Sequence, residues 1–424
     1  MSSPSPLAVS QDHRRQHDDY DDEEAARWME SLRLSTDLLP VDTFLKAAVS
    51  LKDQVVEATW RSGVRCVDTT VYSGLMGTAL TCLRSYEATG STADLLLCSE
   101  IADACAAAAA KSSKSSRHVT FLCGRAGVYA LGAVAANYRG DRQRRDFFVG
   151  LFLEVAQERA LPVGPEEGGF GMPYELLNGR AGFLWAALFV NKHLGPNTLP
   201  DALLMPVVEA VLAGGRTGAS HNTGCPLMFS WHGTRYWGAA HGLAGIVQVL
   251  LHFPLSHDDL EDVKETLRYM VRNRFPRSGN YPSSEGNPRD RLVQWSHGAG
   301  GMAITLCRAV EVFPGDLEFR DAAVEAGEVV WRRGVVGKVG LCDGIAGNAY
   351  ACLSLYRVTG EKVFLERARA LGTFLYYNAE ELARHGQPRG DDHAHSLFQG
   401  LAGAACLCFD MVSPTAARFP GYQI

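Results

Sequence analysis

A closed, all-α ring of seven helical hairpins is the fold class that this sequence predicts, and three observations carry the prediction. A Gly-x-x-Gly step recurs seven times, at Gly74/Gly77, Gly124/Gly127, Gly179/Gly182, Gly242/Gly245, Gly298/Gly301, Gly344/Gly347 and Gly400/Gly403. The first glycines lie 50, 55, 63, 56, 46 and 56 residues apart, enough each time for two helices and a loop. The segments after the steps are apolar nearly all round, whereas those between them are amphipathic, so the former belong in a core and the latter over it, and each repeat reads as an amphipathic helix, a loop, the step and a buried helix. An open solenoid stacks helix pairs as well. The ring is preferred because the last repeat runs almost to residue 424 without a distinct polar cap.

The elements follow in order. Met1 to Glu24 is polar, with acidic residues at Asp18, Asp19, Asp21, Asp22, Glu23 and Glu24, and lacks the apolar core of a signal peptide. It reads as an acidic, disordered tail over residues 1–25, followed by one domain over 26–424. Residues 107–116, rich in Ala, Ser and Lys, read as a flexible connection, and Pro162 to Pro173 as a loop. Asp258 to Arg274 carries Leu260, Val263, Leu267, Met270 and Val271 at helical spacing, with Ser256 as its N-cap. Glu318 to Arg332 and Glu361 to Tyr377 show the same one-sided pattern. Leu243 to Leu251 and Ile345 to Tyr356 are the buried kind. Arg277 to Asp290 is a long loop leading into Trp295-Ser296-His297-Gly298. Tyr236 to Phe253 carries no formal charge, but its glycines and histidines suit a buried core segment better than a membrane span. In each step, the first glycine is expected to adopt a backbone that other residues avoid, and the second to let neighbours pack closely.

Composition limits the function. Apolar residues make up 46% and charged residues 21%, which suits a soluble globular protein. The net charge of −6 and the absence of a Lys/Arg block count against nucleic acid as a partner. Eleven scattered cysteines in a long chain point to reduced thiols and a cytoplasmic location. Peripheral membrane association stays open. Ring folds that hydrolyse glycosides or cyclise terpenes need paired carboxylates or Asp-rich motifs, and none stands at these turns.

Several motifs carry a resemblance: Trp237-Gly-Ala-Ala-His-Gly-Leu-Ala-Gly245, Gln294-Trp-Ser-His-Gly298, Gly340-Leu-Cys-Asp-Gly344, Ser396-Leu-Phe-Gln-Gly-Leu-Ala-Gly403 and Pro414-Thr-Ala-Ala-Arg-Phe-Pro420. From about residue 60 to 424 the chain resembles the eukaryotic lanthionine cyclase-like (LanC-like) family. With Trp231-His-Gly-Thr-Arg-Tyr-Trp-Gly238 it looks closest to the plant members. The resemblance implies a seven-fold α/α toroid, a mononuclear zinc site, and addition of a glutathione-like thiol to a dehydrated Ser or Thr of a peptide or protein. A thiol is mostly protonated at neutral pH, with a pKa near ~8.5. Zinc held by two thiolates and an imidazole leaves a fourth position where a substrate thiol can ionise. An acid must then protonate the enolate. The resemblance gives that role to His241, which could otherwise be a packed histidine in a Gly-rich turn.

The match breaks at the metal. Of the implied ligands only Cys342 is kept; Ser296 stands for a cysteine and Asp343 for a histidine. Serine is a poor zinc ligand, Asp binds through oxygen, and both changes move the site toward hard donors. Ser230 stands where the family has a glutamate, and Gly300 where it has a proline. The family lysine falls one residue away, near Gly337 and Lys338. Arg389 matches an arginine that holds an anionic group, and Asp392 would orient it, although Arg389 could equally be a solvated loop arginine. Arg125 and Arg180 read as structural. The expectation is that His241, Ser296, His297, Cys342, Asp343 and Arg389 meet on one rim, with Ser296 beside Cys342. His297 joins Arg389 and Asp392 as a substrate-binding candidate; zinc should be held weakly unless His297 swings in as a substitute ligand, and thiol addition should be impaired or altered. The alternative is a non-catalytic peptide- or protein-binding scaffold, with a role in signalling.

Overall fold

The computed structural model describes residues 30, 38–62, 68–111, 119–160, 172–219, 224–385 and 392–424. The acidic segment 1–25, most of the 162–173 loop and the Ser-rich residues 112–116 lie outside the described residues. Fourteen helices fill the described chain: α1 (Val41–Val56), α2 (Leu75–Thr89), α3 (Thr92–Lys111), α4 (Arg125–Tyr138), α5 (Arg142–Val155), α6 (Arg180–Leu194), α7 (Asp201–Ala219), α8 (Leu243–Leu250), α9 (His257–Arg272), α10 (Ala299–Val312), α11 (Leu317–Arg333), α12 (Ile345–Thr359), α13 (Lys362–His385) and α14 (Leu401–Asp410). Strand pairing among the described residues is limited to two isolated bridges, Trp231–Thr234 and Tyr236–Ser284.

The even-numbered helices form the inner layer. Each packs beside the next from α2 to α14, and α14 returns to α2, so the ring is closed as expected. Burial explains the division. In α4 every residue from Ala126 to Ala136 is buried, and in α12 every residue from Ile345 to Leu355. Outer helices bury one stripe: in α9 only Val263, Thr266, Leu267 and Met270, at the i, i+3, i+4, i+7 spacing of one face. Ser256 caps α9 by accepting from the Asp259 N–H, as its position implied. Helix α7 is long and apolar enough to cross a membrane by length and composition, yet it seats Leu204, Val207, Val208, Val211 and Leu212 against the barrel. The uncharged stretch 236–253 divides into a rim turn and the eight-residue α8.

Two expectations need correction. Residues 107–111 are helical, continuing α3, because an alanine run has the highest helix propensity of any sequence. The tight hairpin also runs from an inner helix into the following outer one, joined for instance by Gly90 and Ser91 alone, while the long loops lead back inward. This phase leaves α14 with no outer helix after it, and α1 takes that place, packing on α14 from the other end of the chain. Phe44 of α1 sits against Gly372 of α13, and the Leu39 N–H donates to Thr373 Oγ1 at 3.2 Å.

The glycine steps are set by space more than by dihedral angle. Six of the seven first glycines have negative φ, and only Gly298, at φ 90, uses the freedom expected of all of them. The second glycine obeys a stricter rule. A Cβ at Gly77, Gly127, Gly182, Gly245, Gly301, Gly347 or Gly403 would lie 1.9–2.7 Å from the carbonyl oxygen six residues earlier. The turn thus doubles back onto the first turn of its own inner helix, and nothing larger than hydrogen fits.

Residues 411–424 fold back into the inner barrel. Phe419 packs on Trp295 and Tyr350, and the Tyr422 hydroxyl lies 2.5 Å from Thr305 Oγ1. The ten described cysteines are all free, and nine are buried. Burial, the largest cause in each case, pushes the thiols of Cys82, Cys225, Cys307, Cys342, Cys352, Cys406 and Cys408 up to about 12. Unfolding returns them to about 9. Between those values the folded chain holds more protons than the unfolded one, so stability present below pH 9 is lost as pH rises toward 12. Each thiol removes up to about 1.4 kcal/mol per pH unit in that window. The urea midpoint should fall clearly from pH 7.5 to pH 10, and an unchanged midpoint would contradict the burial of these thiols.

Candidate functional site

The rim is built on one turn pattern, with its polar and apolar positions kept in all seven turns and its side-chain cap in four. Position the residues of each turn by their distance from its first glycine. Four residues earlier, a side-chain oxygen caps the turn: Thr70, Thr120, Glu175 and Ser396 accept from the N–H groups of Ser73, Cys123, Asn178 and Gln399. Two residues earlier, the backbones link up. The N–H of Ser296 donates to the Cys342 carbonyl at 2.9 Å, Cys342 to Phe398 at 2.8 Å, Phe398 to Tyr72 at 3.1 Å, and Tyr72 to Leu122 at 2.9 Å. Turns distant in sequence are thereby fixed side by side in one register. Gly238 carries the fourth turn against the fifth, since a Cβ there would meet the Ser296 carbonyl oxygen at 1.9 Å.

The residue immediately before the first glycine is polar in all seven turns: Ser73, Cys123, Asn178, His241, His297, Asp343 and Gln399. Three residues before it the position is apolar throughout: Val71, Phe121, Leu176, Ala239, Trp295, Leu341 and Leu397. The alternation places an apolar floor beneath a rim of hydrogen-bonding groups.

Ser296 and Cys342 are brought together as expected. The Cys342 thiol hydrogen-bonds with the hydroxyls of both Ser296 and Tyr72. Ser296 Oγ also donates to Gln294 Oε1 at 3.2 Å. Burial raises the thiol to about 12 and the neighbouring Asp343 charge adds to the effect; the Tyr72 and Ser296 hydrogen bonds and the Lys338 charge offset only part of it. Cys342 is therefore a protonated thiol at neutral pH. Asp343, also buried, accepts from Lys338 Nζ at 2.5 Å. Burial pulls the ammonium down, but the charge and hydrogen bond of Asp343 outweigh it and leave Lys338 raised.

His241 stands on the adjoining arc. Its Nδ1 lies 3.2 Å from Glu175 Oε2, and its ring is stacked flat on Trp231 at 4.0 Å. Glu175 also accepts from the N–H groups of Leu177 and Asn178 at 2.6 and 2.7 Å, so the carboxylate is held in place. A carboxylate at Nδ1 fixes the tautomer with the proton there and leaves Nε2 as the working nitrogen. Tyr236 lies between the two imidazoles, 6.0 Å from His241 and 5.8 Å from His297 by ring centroids. Trp231 and Tyr236 are held over this arc by the two isolated bridges, and Trp237 by its indole N–H donating to Glu285.

Arg389 lies outside the described residues. Asp392 begins a short 3-10 helix, Asp392–His395, leading into the Ser396 turn, and its side chain also lies outside them. Arg180 is structural as read: fully buried, donating to the Met172 carbonyl with its guanidinium over the Tyr174 ring. Arg125 reaches the Ala109 carbonyl. Reading the sequence missed Glu175, Tyr72, Trp231 and Cys123. Cys123 and Glu175 could have been found by aligning the turns on their glycines, since they occupy two fixed positions of the repeat.

The donor set does not suit zinc. Among the described residues no three His, Cys, Asp or Glu side chains converge to hold a metal ion. A hydroxyl stands where a thiolate is needed, and the carboxylate is held by an ammonium.

A closed α/α ring whose seven Gly-x-x-Gly turns meet on one rim is the architecture of the LanC-type cyclases. Nisin cyclase shares the fold with a TM-score of 0.67 at 14% identity, over 85% of this chain and 93% of that one. The family model described as lanthionine synthetase C-like protein matches residues 65–424. The LanC-like protein GCL1 of Arabidopsis thaliana is 62% identical over 91% of this chain and 90% of its own length. A zebrafish (Danio rerio) protein named glutathione S-transferase LANCL1 is 35% identical over 74% of this chain and 76% of its own. The chain belongs to the lanthionine synthetase C-like family and is of the plant type.

Proposed function

We propose that this protein uses the LanC-like rim to bind a peptide or protein carrying a dehydrated Ser or Thr, and that it adds a glutathione-like thiol poorly or not at all. The observation that supports this most is the pairing of Asp343 with Lys338 beside the lone thiol of Cys342 and a serine. Together these replace the soft, anionic donors that zinc-assisted ionisation of a thiol requires. The surroundings of His241 support a proton-transfer role in the second half of such a reaction. His241, with Nδ1 on Glu175 and one face on Trp231, can take up at Nε2 the proton released by the thiol and pass it on to an enolate. A reading as thiol transferase is favoured by the zebrafish relative's name, and a reading as scaffold by the donor set. In either case Arg389, oriented by Asp392, is proposed to receive an anionic group of the ligand, and the cytoplasm is the proposed location.

Metal analysis of the purified protein, with a glutathione-addition assay on a dehydroalanine-containing peptide, tests the proposal. The expected result is well under one zinc per chain and a rate at or near the uncatalysed one. Near-stoichiometric zinc with rapid addition would overturn the impaired-site reading and make His297 the candidate replacement ligand.

A further inference from the structure

One charged group at the rim remains without a task, the ammonium of Lys338. It lies 2.5 Å from Asp343 Oδ2, with side-chain exposures of 32% for Lys338 and 11% for Asp343. The pair is sheltered on the acid's side while the lysine keeps a path to water. The lysine's backbone is tied down. Its carbonyl accepts from the N–H of Ile345, the first residue of α12, at 2.9 Å, and its own N–H donates to the Val336 carbonyl at 2.8 Å. Asp343 sits two residues before Ile345, in the turn leading into α12, so lysine and acid are clamped to the same helix start.

The geometry points to Lys338 as an internal competitor for the metal: a tethered cation occupying the carboxylate that a divalent ion would need. This inference rests on the reading that zinc is held poorly, and it names the cause. An ammonium fixed five residues along the same chain acts at an effective concentration on the order of millimolar or above. A dissolved metal ion must displace it, and a dication and an ammonium on one carboxylate repel each other. The lost ligands lower the attraction for metal, and the lysine raises the cost of entry. Together they leave the ammonium of Lys338 as the cation paired with Asp343, next to Cys342 and the Ser296 hydroxyl.

Lys338→Gln separates these contributions. Cobalt(II) is the probe, because a cobalt–thiolate bond gives a charge-transfer absorption that reports Cys342 directly. Lys338→Gln should bind cobalt at least tenfold more tightly than the unchanged protein and show that band. Lys338→Arg should stay as metal-poor as the unchanged protein, and adding Cys342→Ser to Lys338→Gln should remove the band. Lys338→Met serves in place of Lys338→Gln if the latter misfolds by circular dichroism. If Lys338→Gln binds no more tightly and the unchanged protein is metal-poor, the inference fails while the impaired-site reading stands. If the unchanged protein is already saturated and Lys338→Gln is no tighter, both fail. If it is saturated and Lys338→Gln is tighter still, only the impaired-site reading fails. A band that survives Cys342→Ser places the metal elsewhere and overturns the inference.

Discussion

Replacing Gly347 by alanine should cost about 3 kcal/mol or more of stability, and the protein should unfold at a markedly lower urea concentration. The added Cβ would stand 2.0 Å from the carbonyl oxygen of Leu341, a backbone atom that cannot rotate away. Overfilling a packed core costs about 1–3 kcal/mol when side chains can yield, and here the obstacle is the turn itself. Gly245→Ala should behave alike, since its Cβ would lie 2.0 Å from the Ala239 carbonyl oxygen. Gly315→Ala is the control. It has open space around it and needs no left-handed backbone, so it should stay within about 0.5 kcal/mol of the unchanged protein. Equal midpoints for Gly347→Ala and Gly315→Ala would show that the close approach in the steps is not what holds the turns.

The second large effect is a gain. Changing Ser296→Cys together with Asp343→His supplies a second thiol beside Cys342 and an imidazole in place of the acid. Because the Ser296 N–H is bonded to the Cys342 carbonyl, the new sulfur enters a backbone register that is already set. Zinc affinity should rise by about 100-fold or more, the scale on which even indirect changes around a metal act. The new imidazole makes no ion pair with Lys338, which can then turn to solvent. Zinc content by mass spectrometry and glutathione addition are the readouts. A double variant that stays empty would place the fault in the surroundings of the site and favour the scaffold reading.

Much of the fold could be read from the sequence because it rests on a repeated constraint. Seven glycine steps, each far enough from the next for two helices, announce seven inner helices, and the change from one-sided to all-round apolarity assigns the layers. The phase of the hairpins could not be read, because a repeat has no intrinsic beginning; it shows only where α1 pairs with α14. The steric rule for the second glycine was also hidden, since it depends on a carbonyl six residues back that only the folded turn brings near. At the site, Ser296, Cys342, Asp343, His297 and His241 were legible because each sits directly beside a step. Glu175 was not, since a glutamate four residues before a glycine looks like any solvated acid until its carboxylate is seen gathering two N–H groups and an imidazole. Trp231 was quoted only within a motif, and no periodicity tells where a loop side chain will lie. Lys338 was noticed as a displaced family lysine, but its partner could be known only from the distance.

The seating of α1 on α14 bears on the order in which the molecule forms. Each of the six other inner helices packs on an outer helix only a few residues away, so those hairpins can form while the chain is still growing. Residues Val41–Val56 and Leu401–Asp410 must instead wait for nearly the whole chain to be made. Until then α1 carries Phe44, Ala48 and Val55 uncovered, and α2 lacks one neighbour. The last contact to form is the one that spans the longest loop, and such contacts are slow because chain entropy is lost before any burial is gained. The nascent ring therefore spends its growing period as an open arc with two sticky ends, the state most exposed to joining another arc. Chaperone dependence and aggregation during expression should thus be governed by how quickly α1 reaches α14.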